Sequence, residues 1–176
     1  MMAGSPVATV RGMLPWLGLA TAVVLADQLV KALILSALSR PGDDIPLTSY
    51  LTLVLAYNTG AAFSMLNNAG GWQGPLFVAV AFIASALIVW LLAGHWQQRL
   101  LALALSLVLG GAVGNLVDRL HHGHVVDFLD FHWPWLAWLF PGGHFPAFNV
   151  ADSAISCGAG LLILEELRRG LRRSRA

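Results

Sequence analysis

The sequence predicts an all-α membrane protein, with four transmembrane helices and a small extracytoplasmic β-sheet drawn from the connections between helices 1–2 and 3–4. Residues 1–176 are expected to form one membrane-embedded domain. Three observations carry this reading. Hydrophobic residues make up 57% of the chain and charged ones only 11%, against about 25% charged in soluble domains, and mean hydropathy is +0.72. The apolar residues gather in runs near the length that a bilayer core requires, about 20 residues. Two long, more polar connections separate those runs and carry strand-like and turn-like sequence.

The first expected span covers about 13–38 and is interrupted by Asp27, Gln28 and Lys31. Arg11 before an apolar run with Ala20-Thr21-Ala22 also resembles a cleaved signal peptide. Apolar helical sequence continues past Lys31 to Leu38, however, which favours a retained helix. The second span, about 75–94, holds no charge. The third, about 100–120, gathers its polar residues at the far end, and the fourth, about 150–167, has Asp152 in its first turn. In the outer segments, about 39–74 and 121–149, Leu51 to Ala56 and Val125 to Phe131 read as short strands. Pro41-Gly42, Asn67-Asn68 and Gly70-Gly71 mark turns. Trp133, Trp135 and Trp138 suit a membrane interface.

Charge sets the expected orientation. Arg11, the 94–99 link with Arg99, and the tail residues Arg168, Arg169, Arg172, Arg173 and Arg175 share one side. The opposite side holds Arg40 and Arg119, with Lys31 near it. The positive-inside rule therefore puts both termini in the cytoplasm and both long connections outside. The arginine tail is read as a contact for anionic headgroups, with no nucleic-acid partner expected. Cys157, the single cysteine, sits in an apolar run and is read as a small packing residue.

Under this topology the unusual polar residues meet at one membrane depth. Asp27, Gln28 and Lys31 lie in the outer half of span one, Asn115, Asp118 and Arg119 end span three, and Asn149 and Asp152 begin span four. Asp127 lies between those two spans, and Asn58 follows the first strand. Carboxylates near hydrocarbon are costly and mark functional sites. Each has a plainer role beside that one. Asp27 and Lys31, at i,i+4, make an ordinary helical ion pair. Asn149 with Asp152 makes a helix cap. Asp130, three residues from Asp127 in a strand, faces the other way.

A transporter would also carry intramembrane charge, but it would show matched halves or charges along a path. Neither is evident, and a passive scaffold leaves the clustered Asn and Asp residues without a purpose. Among hydrolytic chemistries, the sequence lacks HExxH, GxSxG and a Ser-Lys pair. His121, His122 and His124 alone are a weak metal signal, so no metal and no cofactor is expected. Two carboxyls sharing a proton remain: one activates water while the other donates to the substrate carbonyl. Asp127 and Asp152, both at the water-accessible outer interface, are the pair that fits.

The residues also carry a resemblance. Asp27-Gln28-Leu29-Val30-Lys31, Tyr57 to Ser64, Gly110 to Arg119, Val125-Val126-Asp127-Phe128 and Phe148 to Asp152 resemble, in order, the motifs of lipoprotein signal peptidase, or signal peptidase II. That resemblance implies an aspartic protease of the bacterial inner membrane. It would remove signal peptides from diacylglyceryl-modified prolipoproteins on the amino-terminal side of the lipidated cysteine. It implies catalysis by Asp127 and Asp152. Asn58, Asn115, Arg119 and Asn149 would line the site or hold substrate, and Asp27 and Asp118, with Lys31, would support the architecture. It further implies an outer sheet cradling the substrate, a periplasmic loop over the site, and inhibition by globomycin. The expected partners are the prolipoprotein and membrane lipids, and a monomer is expected. One departure stands out: residues 132–147 are longer and more aromatic than the family pattern, with Trp133, Trp135 and Trp138 among them.

Overall fold

A computed structural model describes residues 6–60 and 72–173. Four long helices dominate it: α1 (Pro6–Ala37), α2 (Gln73–His95), α3 (Arg99–His122) and α4 (Val150–Arg173). Between α1 and α2 lie strands β1 (Asp44–Pro46) and β2 (Leu51–Asn58). Between α3 and α4 lie β3 (Val125–Phe131) and two short 3₁₀ turns, Pro134–Trp138 and Pro141–Gly143. Of the expected turn signals, Asn67-Asn68 and Gly70-Gly71 fall outside the described residues, as do Arg175 and positions 61–64 of the second motif.

Among the described residues, three helical segments are long and apolar enough to cross a membrane: Thr9–Ala37, Gln73–His95 and Arg99–His122. At about 1.5 Å per residue each exceeds a hydrocarbon core of about 30 Å. The helix α4 is long enough as well, but Asp152 opens it and Glu165 and Glu166 follow its apolar stretch. Its sequence alone does not qualify it, so composition supports three crossings and leaves the expected fourth as a proposal. The outward faces are apolar, as lipid demands. Phe82, Ile83 and Trp90 on α2 are 69%, 66% and 69% exposed.

The helix α3 is the hub and packs against α1, α2 and α4. Small residues allow this close approach, since lipid supplies no hydrophobic drive and van der Waals fit must suffice. A Cβ on Gly114 would stand 2.8 Å from Asp27 Oδ2 and 3.3 Å from Ala151 Cβ, so only glycine lets α1 and α4 meet α3 there. Leu92, Ala102, Leu105 and Leu109 form a buried cluster toward the other end of the bundle.

Gly123 ends α3 at φ 75°, a left-handed conformation natural to glycine. Its N–H donates to Arg119 O, and the chain turns directly into β3. The antiparallel sheet runs β1-β2-β3. On one face of it, Val126 and Phe128 pack with Leu55, Ile34 and Leu38. Strand alternation then sends Asp127 to the opposite face. Asn58 pairs with Val125, and Ala56 with Asp127, beyond a register shift between Leu53 and Ala56. Asn58 and Asp127 are therefore diagonal neighbours on one face.

The strand β1 was not anticipated. It is three residues long, exposed throughout and ended by Pro46, as an edge strand tolerates. Trp133 makes a specific ring contact in the outer region. Its ring stacks on Tyr50 with centroids 3.8 Å apart and fastens the aromatic connection to the sheet, while Trp135 and Trp138 stay 60% and 77% exposed.

Candidate active site

A cavity of about 530 Å³ opens where the ends of α3 and α4 meet the sheet. Asp127 and Asp152 both line it, together with Asn58, Asn115 and Arg119. The structure thus brings together residues from β2, α3, β3 and α4 that the sequence separates by up to 94 positions (152 − 58).

Two asparagines connect the aspartates. Asn115 Nδ2 donates to Asp152 Oδ1 at 2.8 Å, and Asn149 Nδ2 donates to Asp127 Oδ1 at 2.7 Å. Asn149 Nδ2 also reaches Asn115 Oδ1 and Val126 O, each at 3.2 Å, so its two protons serve three acceptors. Asn149 further caps α4. Its Oδ1 accepts from Asp152 N at 2.8 Å, and its N–H donates to Asp152 Oδ2 at 3.2 Å. The cap anticipated from sequence is present and doubles as the link between the carboxyls. On the other side of Asp127, Asn58 Nδ2 donates to Oδ2 at 3.1 Å. Each carboxyl oxygen of the pair accepts from one fixed donor and keeps lone-pair capacity for the cavity.

Asp127 is 3% exposed. Burial, and next the neighbouring Asp152 carboxylate, push its pKa up to about 7, against the pull of Asn58 and Asn149. A carboxyl so placed carries its proton into the neutral range, as acid–base hydrolysis requires.

Beneath the cavity lies a buried ion cluster. Lys31 Nζ stands 2.7 Å from Asp27 Oδ2 and 2.8 Å from Asp118 Oδ2, with all three side chains at most 3% exposed. The expected i,i+4 pair is therefore one of two ion pairs in a three-residue cluster, and Lys31 also donates to Asn115 Oδ1 at 3.1 Å. Each carboxylate extends further. Asp27 Oδ1 accepts from Ala151 N at 2.9 Å, and Asp118 Oδ2 accepts from Val126 N at 3.0 Å. Gln28 Nε2 donates to Asp118 Oδ1 at 2.8 Å and completes the network. Arg119 is held from two sides: it donates to Gly60 O at 3.3 Å, and its guanidinium lies 5.3 Å from the Phe77 ring centre.

Sequence reasoning missed the apolar walls. Phe145 to Phe148 form one, and Ile155, Ser156 and Cys157 form the other. The α4 wall had a readable signal, because residues 152, 155 and 156 share a helix face. Cys157 corrects the expected packing role: it is exposed at the cavity wall. The His121, His122 and His124 rings contact one another in pairs, 6.2 and 5.8 Å between centroids, and His124 lies against Tyr57.

Comparison with known proteins shows the family and the fold. The family model for signal peptidase (SPase) II matches residues 19–168. The chain is 52% identical to a lipoprotein signal peptidase of Ralstonia nicotianae, over 95% of this chain and 92% of that protein. It is 54% identical to one of Burkholderia vietnamiensis, over 88% and 89%. Two solved structures, both described as bacterial membrane enzymes, superpose with TM-scores of 0.75 and 0.68 at 29% and 28% identity. They cover 88% and 87% of this chain, and 88% and 92% of their own.

The ion cluster makes a stability prediction. Lys31→Met leaves Asp27 and Asp118 buried without their cation, which costs about 3–5 kcal/mol. Denaturant or thermal unfolding in detergent should show a large drop in midpoint; a midpoint equal to that of the wild type would count against the cluster as a structural support.

Proposed function

The chain belongs to the signal peptidase II family, and from that membership we propose that it is an aspartic endopeptidase whose water is activated by Asp127 and Asp152. The family makes it a membrane protease of lipoprotein signal peptides. The finer proposal is that it cleaves diacylglyceryl-modified prolipoproteins on the amino-terminal side of the lipidated cysteine. One observation carries the aspartic reading: two carboxyls share one cavity through a two-asparagine link.

The chemistry follows from that geometry. With one proton between the two carboxyls, the ionised one takes a proton from a water molecule. The protonated one donates to the scissile carbonyl oxygen as the water oxygen attacks carbon. A tetrahedral diol forms, the C–N bond breaks, and the amine nitrogen leaves with a proton returned through the pair. Asn58, Asn115 and Asn149 hold the carboxyls in place. The Arg119 guanidinium sits at the cavity and offers charge-assisted hydrogen bonds to substrate carbonyl or headgroup oxygens. The apolar walls, Phe145 to Phe148 and the α4 face, suit acyl chains and an apolar signal peptide. Asp27, Lys31 and Asp118 act as structural support, and globomycin-type inhibitors would occupy the same cavity.

We place the enzyme as a multi-pass monomer in the inner membrane, with α4 as a fourth crossing, both termini cytoplasmic and the cavity near the outer leaflet surface. The link residue Arg99 and the arginines of the tail support that side for the termini. Cysteine-specific labelling in intact cells, with a unique cysteine placed at each terminus in turn, should leave both unmodified by an impermeant reagent. Labelling of the C-terminal cysteine alone would establish three crossings and reverse the placement of the tail.

Two kinetic predictions test the mechanism. Asp127→Asn and Asp152→Asn, made separately, should each lower the cleavage rate of a lipidated prolipoprotein by at least about 10²–10⁴, the usual contribution of a general acid or base. Near-normal turnover in either variant, with the fold intact, would sink the pair assignment. The pH dependence follows from Asp127, raised to about 7. Below that pH the pair keeps its shared proton; above it the proton is lost, so kcat/KM should fall on the alkaline side. Removing the Asn58 hydrogen bond destabilises the ionised form, so Asn58→Ala should move the alkaline limb upward by about one pH unit. A limb that stays put, or moves down, would contradict Asn58 as a positioning residue for Asp127.

A further inference from the structure

Outside the catalytic cavity, three side chains with metal-binding chemistry converge. They are Asp130, His132 and His144, and one ligand atom from each lies within 4.8 Å of the others. Backbone geometry enforces the meeting. Asp130 and His132 are two residues apart in extended chain, so they project from one face. His132 and His144 form an isolated antiparallel bridge, so their side chains stand side by side on it. The rings stack with centroids 4.8 Å apart. Phe145 N donates to Phe131 O at 2.8 Å, and Trp133 N to Gly143 O at 3.0 Å, which fixes the two segments in register.

The polar contacts within the group are incomplete. His144 Nδ1 lies 2.7 Å from Asp130 Oδ2, which accounts for that pair. His132 Nδ1 is shielded from solvent and has no hydrogen-bond partner among the described residues. A buried imidazole nitrogen left unpaired is costly and needs a reason. Two imidazoles and one carboxylate form a ligand set that suits zinc and similar divalent ions, with a water in the fourth position. Zinc ligands in a tetrahedron stand about 3.3 Å apart, given bonds of about 2.0–2.1 Å. Closing the present spacing asks for a small rotation of His144, whose side chain is 54% exposed.

We propose that Asp130, His132 and His144 bind one divalent transition-metal ion, zinc being the representative, which staples the aromatic connection of residues 132–147 to the end of β3. None of the three lines the cavity holding Asp127 and Asp152, so the ion has no part in hydrolysis. Its effect reaches the site mechanically. His144 directly precedes the Phe145-to-Phe148 wall, and a metal bond there limits how far that wall can open. The sequence signal is an Asp-x-His segment facing a later histidine, distinct from the His121, His122 and His124 run.

The test uses the full-length protein in detergent, with any affinity tag removed and metal stripped by chelator. Titration with Co²⁺ should give one equivalent with the visible absorption of a four- or five-coordinate site, and Zn²⁺ should displace it. Zn²⁺ should also slow amide exchange across residues 133–147. Asp130→Asn and His144→Ala, both at partly or fully exposed positions, should each weaken Zn²⁺ binding by about a hundredfold or more while the metal-free protein unfolds as the wild type does; even outer-shell changes at zinc sites cost 10–100-fold. His122→Ala should bind as the wild type. The proposal is overturned by an absence of stoichiometric binding, by wild-type affinity in Asp130→Asn or His144→Ala, or by loss of binding in His122→Ala.

Discussion

The arrangement depends on one buried cation. Lys31 is the only lysine in the chain, and it sits between Asp27 and Asp118 at 2.7 and 2.8 Å with almost no solvent contact. An ion cluster in such a place does not stabilise cheaply. The desolvation of three charges is large, and only close geometry with full hydrogen bonding offsets it. That condition is met here by reaching outward. Asp27 takes the N–H of Ala151, the residue before Asp152, and Asp118 takes the N–H of Val126, the residue before Asp127. The same lysine therefore locates, through one carboxylate each, the backbone of both proposed catalytic residues. It also donates to Asn115, which holds Asp152 directly. A single charged side chain on α1 thus sets α3, α4 and β3 in mutual register.

Above that cluster the logic changes from charge to neutral amides. Asn58, Asn115 and Asn149 supply the donors to Asp127 and Asp152. A lysine or arginine in those positions would hold both carboxyls ionised, whereas shared-proton chemistry needs one of them protonated. Asparagine can fix a carboxyl in space while shifting its titration modestly. Cationic support one layer below and amide support at the site together allow rigidity without forcing both groups into the charged state. Burial, and next the Asp152 carboxylate, then raise the pKa of Asp127 against the smaller pull of Asn58, Asn149 and Lys31.

Much of this was legible in the sequence, and the limits have physical causes. Apolar run length located the helices, because lipid imposes length and composition directly. Asp127 and Asp152 were legible because a carboxylate beside an apolar run has few bland explanations. What stayed hidden depends on pairing between distant positions. Asp27 and Lys31 read as a simple helical pair, because their spacing shows nothing of Asp118, 87 residues beyond Lys31 (118 − 31). The role of Asn149 as a link to Asn115 and Asp127 lay behind its cap signature, which accounts for the residue on its own. β1 was missed because three exposed residues have no period to detect. The fourth crossing stays a proposal for a related reason: Asp152, the proposed catalytic residue on α4, also lowers its hydropathy.

The cavity's form bears on why a soluble-type cleft would not serve. On the proposed reading the substrate is anchored in lipid by its acyl chains and its signal helix, so it cannot diffuse into an enclosed aqueous site. The enzyme must instead present water and charge at the level where the scissile bond emerges. The structure divides the cavity accordingly. Asp127, Asp152, Asn115 and Arg119 contribute its polar side, and Phe145, Phe148 and Ile155 contribute apolar walls. The α4 helix spans that division within one turn, carrying Asp152 and Ile155 on the same face. On the same reading, an apolar wall three residues from a proposed catalytic carboxyl would both seat the lipid-bound substrate and thin the water around the carboxyl. That thinning is the burial that holds the proton on the pair. Substrate binding and acid strength are then set by the same wall, so a change that widens it to admit bulkier chains would also weaken the acid–base pair beside it.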